Sequence, residues 1–179
     1  MRVAIRPHPV LPSTAELEAF EAELGFRLPD DYRAFLLTLN GGPPLPPAGA
    51  RPGEAVLGFP AEASPPLPED QGWIAPGGFW DVALFHGLSR APGEYGDLRE
   101  IVPVMRDWGH PAALLPFASQ EGNAKYFLCL EAPGRGEVLV PGEAWLEARD
   151  AGRPPTAAVY HRLAGSFSEV LDGLEWRDA

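Results

Sequence analysis

Apolar residues near the N-terminus recur at helical spacing. Leu17, Phe20 and Leu24 share one face, with Glu18, Glu21 and Glu23 largely off it. Ser13-Thr14-Ala15-Glu16 precedes them as a capping box: the serine hydroxyl can accept from the third helical N–H while Glu16 reaches back. Gly25 suits a left-handed C-cap. A second helix is expected at once. Pro29 fits a first turn, where a missing N–H costs little, and Asp30 and Asp31 sit at the positive end of the dipole. Tyr32, Phe35, Leu36 and Leu39 form its apolar stripe. Asn40-Gly41-Gly42 stops it, with positive φ expected at Gly41, Gly42 or both. The short connection at 25–28 makes the two helices a hairpin.

Helical periodicity then disappears. Ten of the 38 residues from 43 to 80 are proline, so a long loop or insertion is expected at about 43–78, holding at most a short strand at 54–59. Residues 79–85 are aromatic and β-branched and predict one strand; 97–107 predict a short helix despite Pro103. A hairpin follows, with arms at 113–117 and 126–130 and a turn at Gln120-Glu121-Gly122-Asn123; Pro116 argues for an edge position. Pro133-Gly134-Arg135-Gly136 turns the chain into a strand at 137–140. Residues 141–157 read as irregular, and 159–163 as a last strand. Ser166-Phe167-Ser168-Glu169 is a second capping box, opening a closing helix with Phe167, Val170, Leu171 and Leu174 apolar.

Charge narrows the function classes. Twenty-five acids against 14 lysines and arginines leave a net charge of −11. Such a surface repels phosphate backbones, so direct nucleic-acid binding is not expected. It suits a basic protein partner, or solubility alone. A single cysteine, Cys129, allows no disulfide within the chain and fits a reducing compartment, the cytoplasm. The N-terminal residues form no secretory signal, and no apolar run is long enough for a membrane span.

Catalytic patterns are missing. The histidines at 8, 86, 110 and 161 form no HExxH motif, and there is no GxSxG elbow or Walker-type loop. Cys129 lies in the apolar run Tyr126-Phe127-Leu128-Cys129-Leu130 and reads as core. Asp81 and His86 read as solvated surface groups. Gly41 and Gly42 follow a helix C-terminus, whose negative dipole end would repel phosphate. No metal, cofactor or catalytic residue is expected.

The order of motifs resembles a known family. Leu28-Pro29-Asp30-Asp31-Tyr32 leads to Phe35-Leu36 and Asn40-Gly41-Gly42; Leu115-Pro116-Phe117-Ala118 and Gly122-Asn123 precede an aromatic strand ending in Cys129-Leu130; Ala164-Gly165-Ser166-Phe167-Ser168-Glu169 and Leu171-Asp172-Gly173-Leu174 close the chain. This is similar to the SUKH superfamily, which includes the Smi/Knr-type cell-wall regulators of fungi. Family members often carry an extra glycine and an acid where this chain has Asn123-Ala124-Lys125. The resemblance implies one α+β domain across the chain, with a single antiparallel sheet flanked by an N-terminal helical hairpin and a C-terminal helix. It also implies a non-catalytic protein-binding module. Many bacterial members are immunity-type proteins that bind and neutralise toxins, often nucleases; the alternative is an intracellular regulatory scaffold of the Smi/Knr type.

The partner-contact candidates lie between Glu54 and Asp107, where nine acids against three arginines leave −6. Glu69, Asp70, Trp73, Phe79, Trp80, Asp81, Glu94 and Asp97 interleave acids with aromatic anchors, as a basic toxin domain would require. The competing reading puts the tryptophans in the core and leaves the acids to solvate the loop.

Overall fold

A computed structural model describes residues 3–49, 55–64, 78–88, 96–120, 124–153 and 159–178. The helical hairpin is present as α1 (Thr14–Leu24) and α2 (Asp30–Thr38). Ser13 closes the capping box in both directions, its N–H donating to Glu16 Oε2 at 2.9 Å and its Oγ accepting from Glu16 N at 3.2 Å. Gly25 ends α1 at φ 78°. Pro29 stands at the N-cap of α2. Leu39 is its C-cap and half-buried, and the next three residues all have positive φ: Asn40 53°, Gly41 79° and Gly42 113°.

Two antiparallel sheets replace the single one expected. The first joins β1 (Ala55–Pro60), β2 (Phe79–Asp81) and β8 (Glu175–Asp178) in the order β2-β1-β8. The second joins β3 (Leu84–Phe85), β4 (Leu114–Ser119), β5 (Lys125–Cys129), β6 (Val138–Pro141) and β7 (Tyr160–Ala164) in sequence order. The run at 79–85, read as one strand, splits between them. Val82 N donates to Leu57 O in the first sheet, whereas Ala83 N donates to Ser119 O in the second. Strand β8, after the closing helix α5 (Phe167–Gly173), carries no apolar alternation beyond Trp176 and gave no strand signal.

Two further expectations are corrected. Pro116 is not on an edge strand: β4 lies between β3 and β5, and the ladder shifts register between Pro116 and Ala118, so a bulge absorbs the missing N–H. The stretch after 141 is not irregular throughout, because α4 (Glu143–Asp150) buries Trp145 and Ala148, one turn apart, on one face.

The five-stranded sheet buries both faces. On one, Leu115, Phe117, Tyr126, Leu128 and Val140 join the hairpin, α5 and the inner face of the small sheet in the main core. Phe167 sits at its centre, 5.0 Å from the rings of both Tyr32 and Phe35. Each such buried ring contributes on the order of 1.5–3 kcal/mol. On the other face, Leu114, Phe127 and Tyr160 pack with Met105 of α3 (Leu98–Asp107) and Trp145 of α4.

Candidate partner-binding surface

The Asn-Gly-Gly turn is a clamp on backbone. Asn40 Nδ2 donates to Leu88 O at 2.8 Å and to Val10 O at 2.9 Å, while Leu88 N donates to Asn40 Oδ1 at 2.7 Å. A Cβ on Gly41 would stand 2.7 Å from Phe85 O, and one on Gly42 2.1 Å from Arg6 O. The turn is therefore filled by the protein's own chain.

Tyr32, Phe35 and Leu36 are buried, and the Tyr32 hydroxyl donates to His86 O at 3.0 Å. Burial pushes the Tyr32 phenol up. Leu28 and Pro29 are buried, Arg135 Nη2 donating to Leu28 O at 3.0 Å. Ser166 Oγ accepts from Glu169 N at 3.1 Å; the Glu169 carboxylate accepts from Gly165 N rather than from the cap, so the second capping box is half formed. Phe167 is fully buried and Leu171 half-buried.

His86 is not a surface group. It is 0% exposed, with Nδ1 3.0 Å from Pro116 O and Nε2 2.7 Å from Ser119 Oγ. Burial lowers its pKa to about 4. The neutral ring then donates from Nδ1 to the carbonyl and accepts the serine hydroxyl at Nε2. Lys125 Nζ donates to the same Ser119 Oγ at 2.9 Å. A serine, a histidine and a lysine in line suggest nucleophilic chemistry, but the geometry opposes it. Ser119 is 1% exposed, and a neutral carbonyl rather than a carboxylate backs the imidazole. The network ties β3 to β4.

Cys129 differs from expectation by being only half-buried. Its Sγ–H donates to Glu131 O at 3.3 Å, and burial pushes the thiol up. A thiol held protonated is a poor nucleophile.

The candidate contact residues separate. Trp80 points inward: it is 1% exposed, packs edge-on against Tyr126, and donates Nε1–H to Ala61 O at 3.1 Å. The period of two along β2 explains this, since Phe79 and Asp81 then face outward. Asp97 is 6% exposed and caps α3, accepting from Arg99 N at 3.0 Å; it lines a separate cleft of about 200 Å3 beside Arg6 and His8. Glu69, Asp70, Trp73 and Glu94 lie outside the described residues, as do Gly122 and Asn123.

What remains is the outer face of the small sheet. Phe79 and Asp81 on β2 flank Gly58 on β1, with Glu175 and Arg177 beyond on β8. A Cβ on Gly58 would stand 2.7 Å from the Phe79 ring, so the ring lies across the glycine. The Arg177 guanidinium stacks 4.0 Å from the Phe79 centroid and bonds Glu175 Oε1 at 2.6 Å. Residues 175–178 carry no strand signal in the sequence, so nothing there places Glu175 and Arg177 beside Phe79. No helix among the described residues is long and apolar enough to cross a membrane.

Two antiparallel sheets, a helical hairpin and a backbone clamp at Asn40-Gly41-Gly42 define an α+β protein whose described motif residues serve the fold. The SMI1 / KNR4 family (SUKH-1) model matches residues 11–173, and the chain belongs to that family. No curated protein and no solved structure matches the chain significantly.

Proposed function

We propose that the protein is a non-catalytic binding module of the immunity type, which sequesters a basic toxin domain. Membership of the SMI1 / KNR4 family carries this reading. The net charge of −11 supports it, because a surface of that sign steers a basic partner toward encounter. On the outer face of the small sheet, Phe79 and Asp81 supply an aromatic ring and a carboxylate on neighbouring rungs of one strand. In the sequence, Glu69, Asp70 and Trp73 repeat the same residue types. If the partner is a nuclease, an acidic face covers the basic groove that nucleic acid would use.

Capture from the native cell by the full chain, with mass identification, tests the reading. One basic protein, bound with an association rate that falls as salt rises, is the expected result. Several unrelated weak partners would favour a scaffold instead. A salt-independent association rate would remove the electrostatic part.

A further inference from the structure

Residues 43–47 read Pro-Pro-Leu-Pro-Pro. Proline fixes its own φ near about −65° and steers the residue before it away from the helical region. Pro43, Leu45 and Pro46 each precede a proline, so the run favours one backbone shape, the left-handed polyproline II helix. No helix or ladder strand forms over it; Pro44 alone makes an isolated bridge, to Ile5.

The N-terminal residues strap this run in place from one side. His8 N donates to Leu39 O at 2.8 Å, Arg6 N to Pro43 O at 2.9 Å, and Leu45 N to Ala4 O at 2.8 Å. Ile5, opposite Pro44, is 4% exposed and belongs to the main core, so the strap is itself anchored. Leu45 carries the one backbone N–H of the run, and the strap takes it.

A polyproline II helix has three residues per turn, so positions i and i+3 share an edge, about 9 Å apart. Pro43 and Pro46 stand on such an edge and are both exposed, as is Pro47, while Pro44 and Leu45 are half-buried against the protein. The outward surface is thus a stiff, uncharged ridge of pyrrolidine rings. Stiffening the chain would require the fixed φ angles but not an exposed edge, because rings in water bury no apolar surface.

We propose that the Pro43–Pro47 ridge is a ready-made ligand for a partner domain that recognises polyproline II through a groove lined by aromatic rings. Such grooves take proline runs because the ligand is already extended and loses little backbone freedom on docking. Here the strap has fixed the backbone before the encounter, which lowers the ordering cost further. Pro43 and Pro46 present their rings to successive slots of the groove. The ridge holds no charged residue, so shape rather than the net charge of −11 selects this partner, and the inference stands apart from the toxin-binding reading.

Purified, isotope-labelled SH3 and WW domains titrated with the full unlabelled chain test the proposal. At least one should show saturable shifts at the aromatic residues of its proline groove. Pro43→Ala with Pro46→Ala should weaken that binding by about tenfold or more, in a chain that melts near the wild type. Pro46→Ala alone, outside the Ile5 bridge, should weaken it severalfold and keeps the test if the double variant melts early. Pro103→Ala with Pro111→Ala, two other exposed prolines, should leave the affinity unchanged. A synthetic peptide of residues 42–48 should bind the same domain more weakly than the folded chain, because only the chain arrives with its backbone fixed. A folded chain that shifts the groove of none of these domains, Pro46→Ala variants as tight as the wild type, or a peptide as tight as the chain overturns the proposal.

Discussion

The carboxamide of Asn40 pairs with the backbone of Leu88 in both directions, donating to its carbonyl at 2.8 Å and accepting from its amide at 2.7 Å. Asparagine is suited to this because it carries a donor and an acceptor on one short side chain and tolerates positive φ. Both Leu88 and Asn40 are buried, so water does not replace a lost bond. Asn40→Asp keeps the size and the acceptor but loses the donor, leaving the Leu88 and Val10 carbonyls facing a carboxylate. It should cost about 2–4 kcal/mol, from groups worth about 1–3 kcal/mol each when orphaned. Urea denaturation measures this, and a loss below about 0.5 kcal/mol would exclude the clamp.

The glycines beside it make a sharper case. Positive φ alone makes an alanine cost about 1 kcal/mol. At Gly41 the added Cβ would also stand 2.7 Å from Phe85 O; at Gly87, where φ is not positive, it would stand 2.1 Å from Asn40 O, and both are backbone atoms that cannot swing aside. Gly41→Ala and Gly87→Ala should each exceed that 1 kcal/mol, whereas Gly25→Ala, with nothing within 4 Å, should stay near it. Equal losses at Gly25 and Gly41 would show that packing against Phe85 is loose.

His86 gives the protein a pH dependence of known sign. Its folded pKa of about 4 lies below the ordinary value of 6.5. The unfolded chain therefore binds the proton first as pH falls. The stabilisation is fully present above pH 6.5 and is lost as pH drops from 6.5 toward 4, at up to about 1.4 kcal/mol per pH unit. Denaturant midpoints across that window should fall for the wild type, and the fall should be shallower in His86→Asn, whatever that variant's stability at neutral pH. Parallel curves would reject the assignment.

Legibility in the sequence followed the strength of local signals. Both N-terminal helices, their caps and the left-handed glycines were readable because the Ser13 box and the Asn40-Gly41-Gly42 stop act within a few residues. The β4–β5 hairpin was readable for the same reason. The three-stranded sheet was not, since β1 pairs with β2 and with β8, more than a hundred residues further on, and nothing local in Glu175–Asp178 announces a strand. His86 looked like a surface residue because its partners, Pro116 and Ser119, lie some thirty residues away. The outer sheet face was half legible: Phe79 and Asp81 could be named, but the Arg177 that stacks on Phe79 could not.

The adjacent residues Trp80 and Phe79 separate a folding role from a binding role. Trp80 is enclosed by the core and hydrogen-bonded to Ala61 O, so Trp80→Ala should destabilise by about 3–5 kcal/mol and reduce partner capture only through loss of folded protein. Phe79 faces outward under Arg177, so Phe79→Ala should leave the fold nearly as stable. If the outer sheet face touches the partner, the same variant should speed dissociation, as removal of an aromatic contact does. Asp81→Lys should instead slow association, and the effect should fade as salt rises and screening shortens to about 8–10 Å. Dissociation and association rates measured for the three variants against the captured partner, with a thermal melt of each, resolve the two roles. Unchanged rates for both Phe79→Ala and Asp81→Lys in folded protein would move the partner off this face.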